Sequence, residues 1–206
     1  MNRLLLHPAT RPCVFVIAAL PFSWLAFAAL TDPSAHLGAN PAERLIRDSG
    51  EWALRFLCLA LAVTPLRRWT GWHALARLRR MLGLYAFFYA GVHFLCYAAL
   101  DMGLDIATIV KDIAKRPFIL VGTAALLLML PLAATSLDRA VRALGARRWQ
   151  ALHRSVYAVA LLALLHFYWM RAGKNDLAEV GVYGALIVAL LGWRAGQRLA
   201  KGAQGK

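Results

Sequence analysis

Six long apolar runs, separated by short segments rich in arginine or in carboxylates, organise this chain. They lie at about residues 13–30, 51–66, 81–100, 117–135, 152–170 and 178–193. Each is near the roughly 20 residues that carry a helix across a hydrocarbon core about 30 Å thick. The pattern predicts an all-α integral membrane protein, a bundle of six transmembrane helices forming a single domain over residues 1–206. The second run is the least regular, because Glu51 and Arg55 stand in its first turns and fit only at the interface or facing the bundle. The sixth is short and holds Gly181, Gly184 and Gly192. Between the third and fourth runs, Asp101 to Arg116 interleaves Leu104, Ile106, Ile109, Val110 and Ile113 with acids and lysines, the pattern of a helix lying on a membrane surface. Pro117 then opens the next span. No sustained repeat, low-complexity tract or linker-bounded second domain is visible.

Composition agrees, with 61% hydrophobic residues, 17% charged ones and a mean hydropathy of +0.56. The net charge of +14, from 24 Lys+Arg against 10 Asp+Glu, is a record of topology and not a nucleic-acid footprint. Arg3 and Arg11, the arginines between Arg67 and Arg80, those between Arg139 and Arg154, and Arg194, Arg198, Lys201 and Lys206 share one side with a single acid, Asp138. Arg44, Arg47, Arg55, Lys111, Lys115, Arg116, Arg171 and Lys174 share the other with the nine remaining acids. The positive-inside rule then places both termini in the cytoplasm. Trp69, Trp72, Trp149, Trp169 and Trp193 fall near span ends, as an aromatic belt requires. The first run, with its basic flank and Ala26-x-Ala28 pair, imitates a cleavable signal peptide, but its length and the even-numbered topology favour an uncleaved helix. Cys13, Cys58 and Cys96 sit within apolar runs without a CxxC pair, so they read as small buried hydrophobes.

The histidines carry the candidate chemistry. His7, His36 and His73 lie in polar segments, whereas His93 is deep in the third span, His153 opens the fifth and His166 lies toward its far end. Ionisable groups inside a bilayer are costly enough that function is the default reading, with a helix–helix hydrogen bond as the plainer alternative. Measured from cytoplasmic ends near Arg80 and Gln150, His93 and His166 lie at similar heights, roughly 20 and 24 Å in at 1.5 Å per residue. Two imidazoles at one depth on facing helices suit a b-type haem. Zinc or copper would need further ligands, and only Cys96 is near. Tyr89, Phe94, Tyr97, Phe167 and Tyr168 are candidate lining residues. His153 lies about 20 Å of rise before His166 and is a ligand candidate for a second haem, with Arg79 opposite as an unusual ligand or a propionate partner and His73 as another possibility. Ideal helix geometry turns His153 away from the face of His166, so a distortion is expected between them.

Six spans with a histidine in the third and His153-x12-His166 in the fifth resemble the ferric reductase-like transmembrane superfamily. Members of that superfamily typically carry two histidines on each of two helices; here Arg79 stands at the fourth position. The RRMLGLYAF entry to span three, the RPFILVG start of span four and the RRWQALHRSVY run before span five are similar to the MsrQ (YedZ) family over almost the whole chain. The resemblance implies a bacterial inner-membrane, multi-pass electron conduit. It would take electrons from the quinone pool or a cytoplasmic reduced flavin and pass them through one or two b-type haems to MsrP, a periplasmic molybdopterin-containing reductase of methionine sulfoxide in proteins. It further implies His93, His166 and His153 as haem-iron ligands, and an FMN whose site is not assignable to residues.

No nucleophile–base pair, P-loop or GxGxxG is present, so substrate chemistry is expected in the partner and one-electron relay in this chain. The alternatives are a stand-alone ferric or quinone reductase and, in another class, a small transporter of protons or metal ions.

Overall fold

The computed structural model describes residues 2–173 and 176–204, with side chains to residue 200. Lys174, Lys206 and the side chain of Lys201, which enter the charge distribution above, lie outside the described residues. The chain is helical throughout: α1 Asn2–Leu6, α2 Thr10–Thr31, α3 Pro33–Leu37, α4 Pro41–Thr70, a 3-10 turn His73–Arg77, and α5 Arg79–Cys96 continued by a π turn Tyr97–Asp101. There follow α6 Ile106–Lys115, α7 Pro117–Ala134, α8 Asp138–His153, α9 Val156–Ala172 and α10 Ala178–Gln204.

Local chemistry sets these boundaries. Asn40 caps α4 by accepting from the Glu43 amide at 3.2 Å, with Pro41 in the first turn where no amide partner is needed. Gly71 ends that helix in the left-handed region at φ 71°, a conformation glycine adopts without a Cβ penalty. Asp105 caps α6, and Pro117 starts α7 as its sequence position predicts.

Among the described residues, five helices are long and apolar enough to cross a membrane, within Thr10–Thr31, Arg79–Asp101, Pro117–Ala134, Asp138–Ala172 and Ala178–Ala200. The expected second span is not among them. Its helix, α4, runs 30 residues and extends far beyond residues 51–66, starting in a charged segment that contains Glu43, Arg44, Arg47 and Asp48. The apolar half of α4 is nevertheless the most enclosed part of the molecule, with Leu54, Phe56, Leu57, Cys58 and Leu61 all buried.

α4 packs along α5 and α7 along α9, α5 meets α7, α10 closes on α9 and α4, and α2 lies against α4 and α5. Phe15, Val16, Ile17, Leu20 and Trp24 of α2, and Val182 and Val188 of α10, face outward, as lipid contact requires.

One contact fixes α2. Pro21 lies inside that helix and has no amide to give. The Tyr89 hydroxyl enters the ladder there, accepting from the Phe22 amide at 3.0 Å and donating to the Ala18 carbonyl at 2.8 Å. Tyr89 is fully buried, with its ring stacked at 11° on Phe56. Tyr89→Phe removes one hydroxyl and strands two backbone groups, so it is expected to lower stability by about 1–3 kcal/mol. Thermal unfolding in detergent measures this; an unchanged midpoint would mean that the two backbone groups close on each other without the hydroxyl.

Candidate functional site

Two cavities stand end to end in the bundle. The first, of about 460 Å³, reaches from a mouth at Asn40, Glu43, Asp101 and Arg116 down to His93 and His166. The second, of about 600 Å³, is bordered by Arg67, Arg79, Arg80, Arg142, Trp149 and His153. Four side chains line both: Leu57 of α4, Ala86 of α5, Met129 of α7 and Val159 of α9. They form an apolar septum between the two.

In the first cavity the two histidines are held by the same device. His93 Nδ1 lies 2.7 Å from the Ile46 carbonyl, and His166 Nδ1 lies 2.6 Å from the Phe118 carbonyl. A carbonyl only accepts, so each Nδ1 carries the proton and donates, and each Nε2 keeps its lone pair. One turn past each carbonyl stands a glycine, Gly50 and Gly122, against which the imidazole ring rests. The ring centroids are 6.0 Å apart and the planes cross at 77°. Such a gap accommodates one metal ion with a nitrogen bond of about 2 Å on each side.

The second set follows the first at a nearly constant offset along the chain. Ile46, Gly50 and Leu57 correspond to Phe118, Gly122 and Met129; Ala86, Ala90, His93 and Phe94 correspond to Val159, Ala163, His166 and Phe167. Four of the seven pairs are the same residue, Gly50 and Gly122, Ala90 and Ala163, His93 and His166, and Phe94 and Phe167, although they are scattered among unlike neighbours and no sustained sequence repeat announces them. The two glycines, the two carbonyls and the repeat were missed by sequence reasoning. A glycine four residues after a carbonyl acceptor becomes a signal only once the partner helix is known.

The second cavity is built differently. His153 Nε2 lies 3.1 Å from Thr135 Oγ1, and that hydroxyl donates to the Pro131 carbonyl at 2.6 Å. The hydroxyl proton being used, Nε2 is the donor toward Thr135, and His153 carries the opposite tautomer to His93 and His166. Trp149 stacks on its ring at 4.0 Å and donates from Nε1 to the Thr135 carbonyl at 2.9 Å. His153 belongs to the end of α8, and the turn at Arg154 and Ser155 separates it from α9. His153 and His166 thus stand on different helices and border different cavities. Arg79 lines the same cavity, next to Arg80, which pairs with Asp138. The chain offset that relates His93 to His166 matches His153 with Arg80.

Other expectations resolve simply. His73 is exposed in the 3-10 turn and lines neither cavity. His36 rests against Trp24 and Phe27. Phe94, Tyr97 and Phe167 line the first cavity, whereas Tyr89 is spent on α2 and Tyr168 is exposed. Among the described residues no cluster of three or more His, Cys, Asp or Glu forms a metal site, so Cys96 adds no ligand.

A charged collar rims the first cavity. Arg171, 4% exposed at its side chain, meets Asp176 and Glu179 at 2.6 Å and Glu51 at 3.2 Å. Glu51 also takes a bond from Arg55 at 2.7 Å. α4, α9 and α10 are thereby tied together. Arg171→Met removes one of the two counter-charges of the partly buried Glu51 and the partner shared by Asp176 and Glu179, and is expected to cost about 1–3 kcal/mol, read as a lowered unfolding midpoint in detergent. A midpoint unchanged from the parent would show that Arg55 alone satisfies Glu51.

On the same rim Asp112 of α6 accepts from the Tyr97 hydroxyl at 2.6 Å and from Arg116. The Arg116 guanidinium, aided by that hydroxyl, holds the Asp112 carboxyl below the usual carboxylate range. A lowered value means that this clasp contributes fully at neutral pH and is lost as pH falls through it, below about pH 4. A nitroxide at Lys111→Cys is expected to report an immobile α6 at pH 5 and a mobile one only below that range. Release already at pH 5 would contradict the assignment.

A helical chain with several lipid-facing helices of membrane length is a multi-pass membrane protein. Residues 49–164 match the model of the ferric reductase like transmembrane component family. A protein-methionine-sulfoxide reductase heme-binding subunit MsrQ from Polaromonas naphthalenivorans (strain CJ2) is 58% identical over 197 residues, 96% of this chain and 89% of the relative. The subunit of the same description from Ralstonia nicotianae is 55% identical over 90% of this chain and 84% of its own length, and that from Azospira oryzae 48% identical over 93% and 80%. No solved structure matches the chain. The chain belongs to the ferric reductase-like transmembrane family and, within it, to the MsrQ subunits of the protein-methionine-sulfoxide reductase system.

Proposed function

We propose that the chain holds a b-type haem in the first cavity, ligated by His93 and His166, and serves as the membrane electron relay to the MsrP reductase of oxidised methionine. The carrying observation is the pair of imidazoles with Nδ1 tied to backbone and Nε2 free, 6.0 Å apart in one apolar cavity. A haem bound there supplies one-electron storage at its iron. The chain's own residues do the rest. The Ile46 and Phe118 carbonyls fix the tautomers and raise the basicity of the ligating nitrogens. Leu54, Ala90 and Ala125 keep the wall apolar, and Arg47 and Arg116, part-exposed at the mouth, offer partners for carboxylates of the occupant.

In this reading α4 supplies the second of the six spans, its charged first turns at the outer surface and its apolar half inside the bundle. Both termini lie in the cytoplasm of a bacterial inner membrane, with the arginine-lined second cavity facing inward and the first facing the periplasm, where MsrP, as a molybdopterin enzyme, receives the electrons. The second cavity is the place for an inner cofactor. A second haem there would take His153 as its ligand with Arg79 or Arg80 opposite, after His153 lets go of Thr135; the arginines suit the phosphate of an FMN equally. Quinol or a cytoplasmic reduced flavin is the donor on that side.

The optical spectrum of the detergent-solubilised protein tests the assignment. A reduced b-type band is expected in the parent, reduced by about half or more in His93→Ala and in His166→Ala, roughly the share of one haem in two. Full haem in both variants would sink the ligand assignment, and a colourless parent would favour a transporter. Co-purification with a periplasmic molybdoenzyme separates the methionine-sulfoxide role from that of a stand-alone reductase.

A further inference from the structure

The angle between the two outer imidazoles is built into the backbone. A Cβ on Gly50 would stand 2.9 Å from His93 Nδ1 and 3.1 Å from its Cε1; one on Gly122 would stand 2.7 Å from His166 Nδ1 and 2.9 Å from its Cε1. Both histidine rings therefore rest where only glycine leaves room. A hydrogen bond at Nδ1 alone lets a ring swing about the bond it makes. Contact with a helix backbone removes that freedom. The two seats, on α4 and on α7, hold the planes 77° apart.

We infer that Gly50 and Gly122 are positioning residues that hold the two axial imidazoles nearly perpendicular and thereby set the electronic state of the iron bound between them. This rests on the haem reading above. Imidazole donates π density to the iron d orbital that lies across its own plane. Parallel rings feed the same orbital and split the pair. Perpendicular rings feed one each, leaving the pair nearly equal in energy. Oxidised iron so held gives a single very large g value in its electron paramagnetic resonance spectrum, whereas parallel rings give a three-line rhombic pattern. It also loses part of the π stabilisation of the ferric state, so its reduction potential lies above that of the parallel arrangement.

The experiment uses the full chain in detergent, in a His153→Ala background so that only the outer haem contributes, with haem content read optically on every sample. The expected result is a large-g signal in that background. Gly91→Ala, on the same helix as His93 but with nothing within 4 Å of the added methyl, is the control and should match it. Gly50→Ala and Gly122→Ala should shift the signal toward the rhombic pattern and lower the potential. Gly122→Ala should also lose more haem, its contacts being shorter. If both alanine variants lose their haem while Gly91→Ala stays loaded, the seats are confirmed and the spectrum of the background decides the angle. A rhombic spectrum in the loaded background overturns this inference and leaves the haem reading standing. Full haem with an unchanged spectrum in both Gly50→Ala and Gly122→Ala overturns it as well. Absence of haem from the background and the parent alike overturns the functional reading itself.

Discussion

Two hydrogen bonds, from His93 to the Ile46 carbonyl and from His166 to the Phe118 carbonyl, are the constraint on which the bundle depends. Backbone carbonyls within a helix are normally occupied by the amide four residues on, and for Ile46 and Phe118 that amide belongs to Gly50 and Gly122. The imidazole reaches the carbonyl only by lying over the next turn, and it can lie there only if that turn lacks a side chain. Close approach of α5 to α4, and of α9 to α7, follows from this one requirement. Helix pairs brought together in this way leave open space between the pairs, and that space is the two cavities.

The charged collar borders that space at the mouth of the first cavity. Arg171 is surrounded by three carboxylates, and its cost of burial is offset only because Glu51, Asp176 and Glu179 converge on it. The carboxylates come from α4, from the segment before α10 and from α10 itself. The same cluster therefore closes the bundle and sets the charge at the cavity mouth. Removing it would loosen three elements at once.

Much of this was legible in the sequence, for identifiable reasons. The fourth apolar run ends within a residue of α7 because Pro117 and a purely apolar composition leave no ambiguity. His93 and His166 stood out because intramembrane histidines are rare, and counting rise per residue placed them at one height. The first turns of α4 were not legible as helix continuing from the surface, because Glu43 with Arg47 and Arg44 with Asp48 pair along the helix at i and i+4, and their pattern carries no hydrophobic period. The tautomer of His153 was hidden as well. It depends on Thr135 and Trp149, which the sequence separates from it by different distances and which only the α7–α8 turn brings together. Spacing identified which residues stand at equal depth; hydrogen-bond partners decided which nitrogen each offers.

The septum of Leu57, Ala86, Met129 and Val159 has an electrical consequence. Because the two cavities meet at these side chains, occupants of the two would stand on either side of a single apolar layer. None of the four carries a polar side chain that could relay a proton. Under the proposed relay, an electron crossing this layer would travel without an accompanying proton, and the membrane would feel its passage as current.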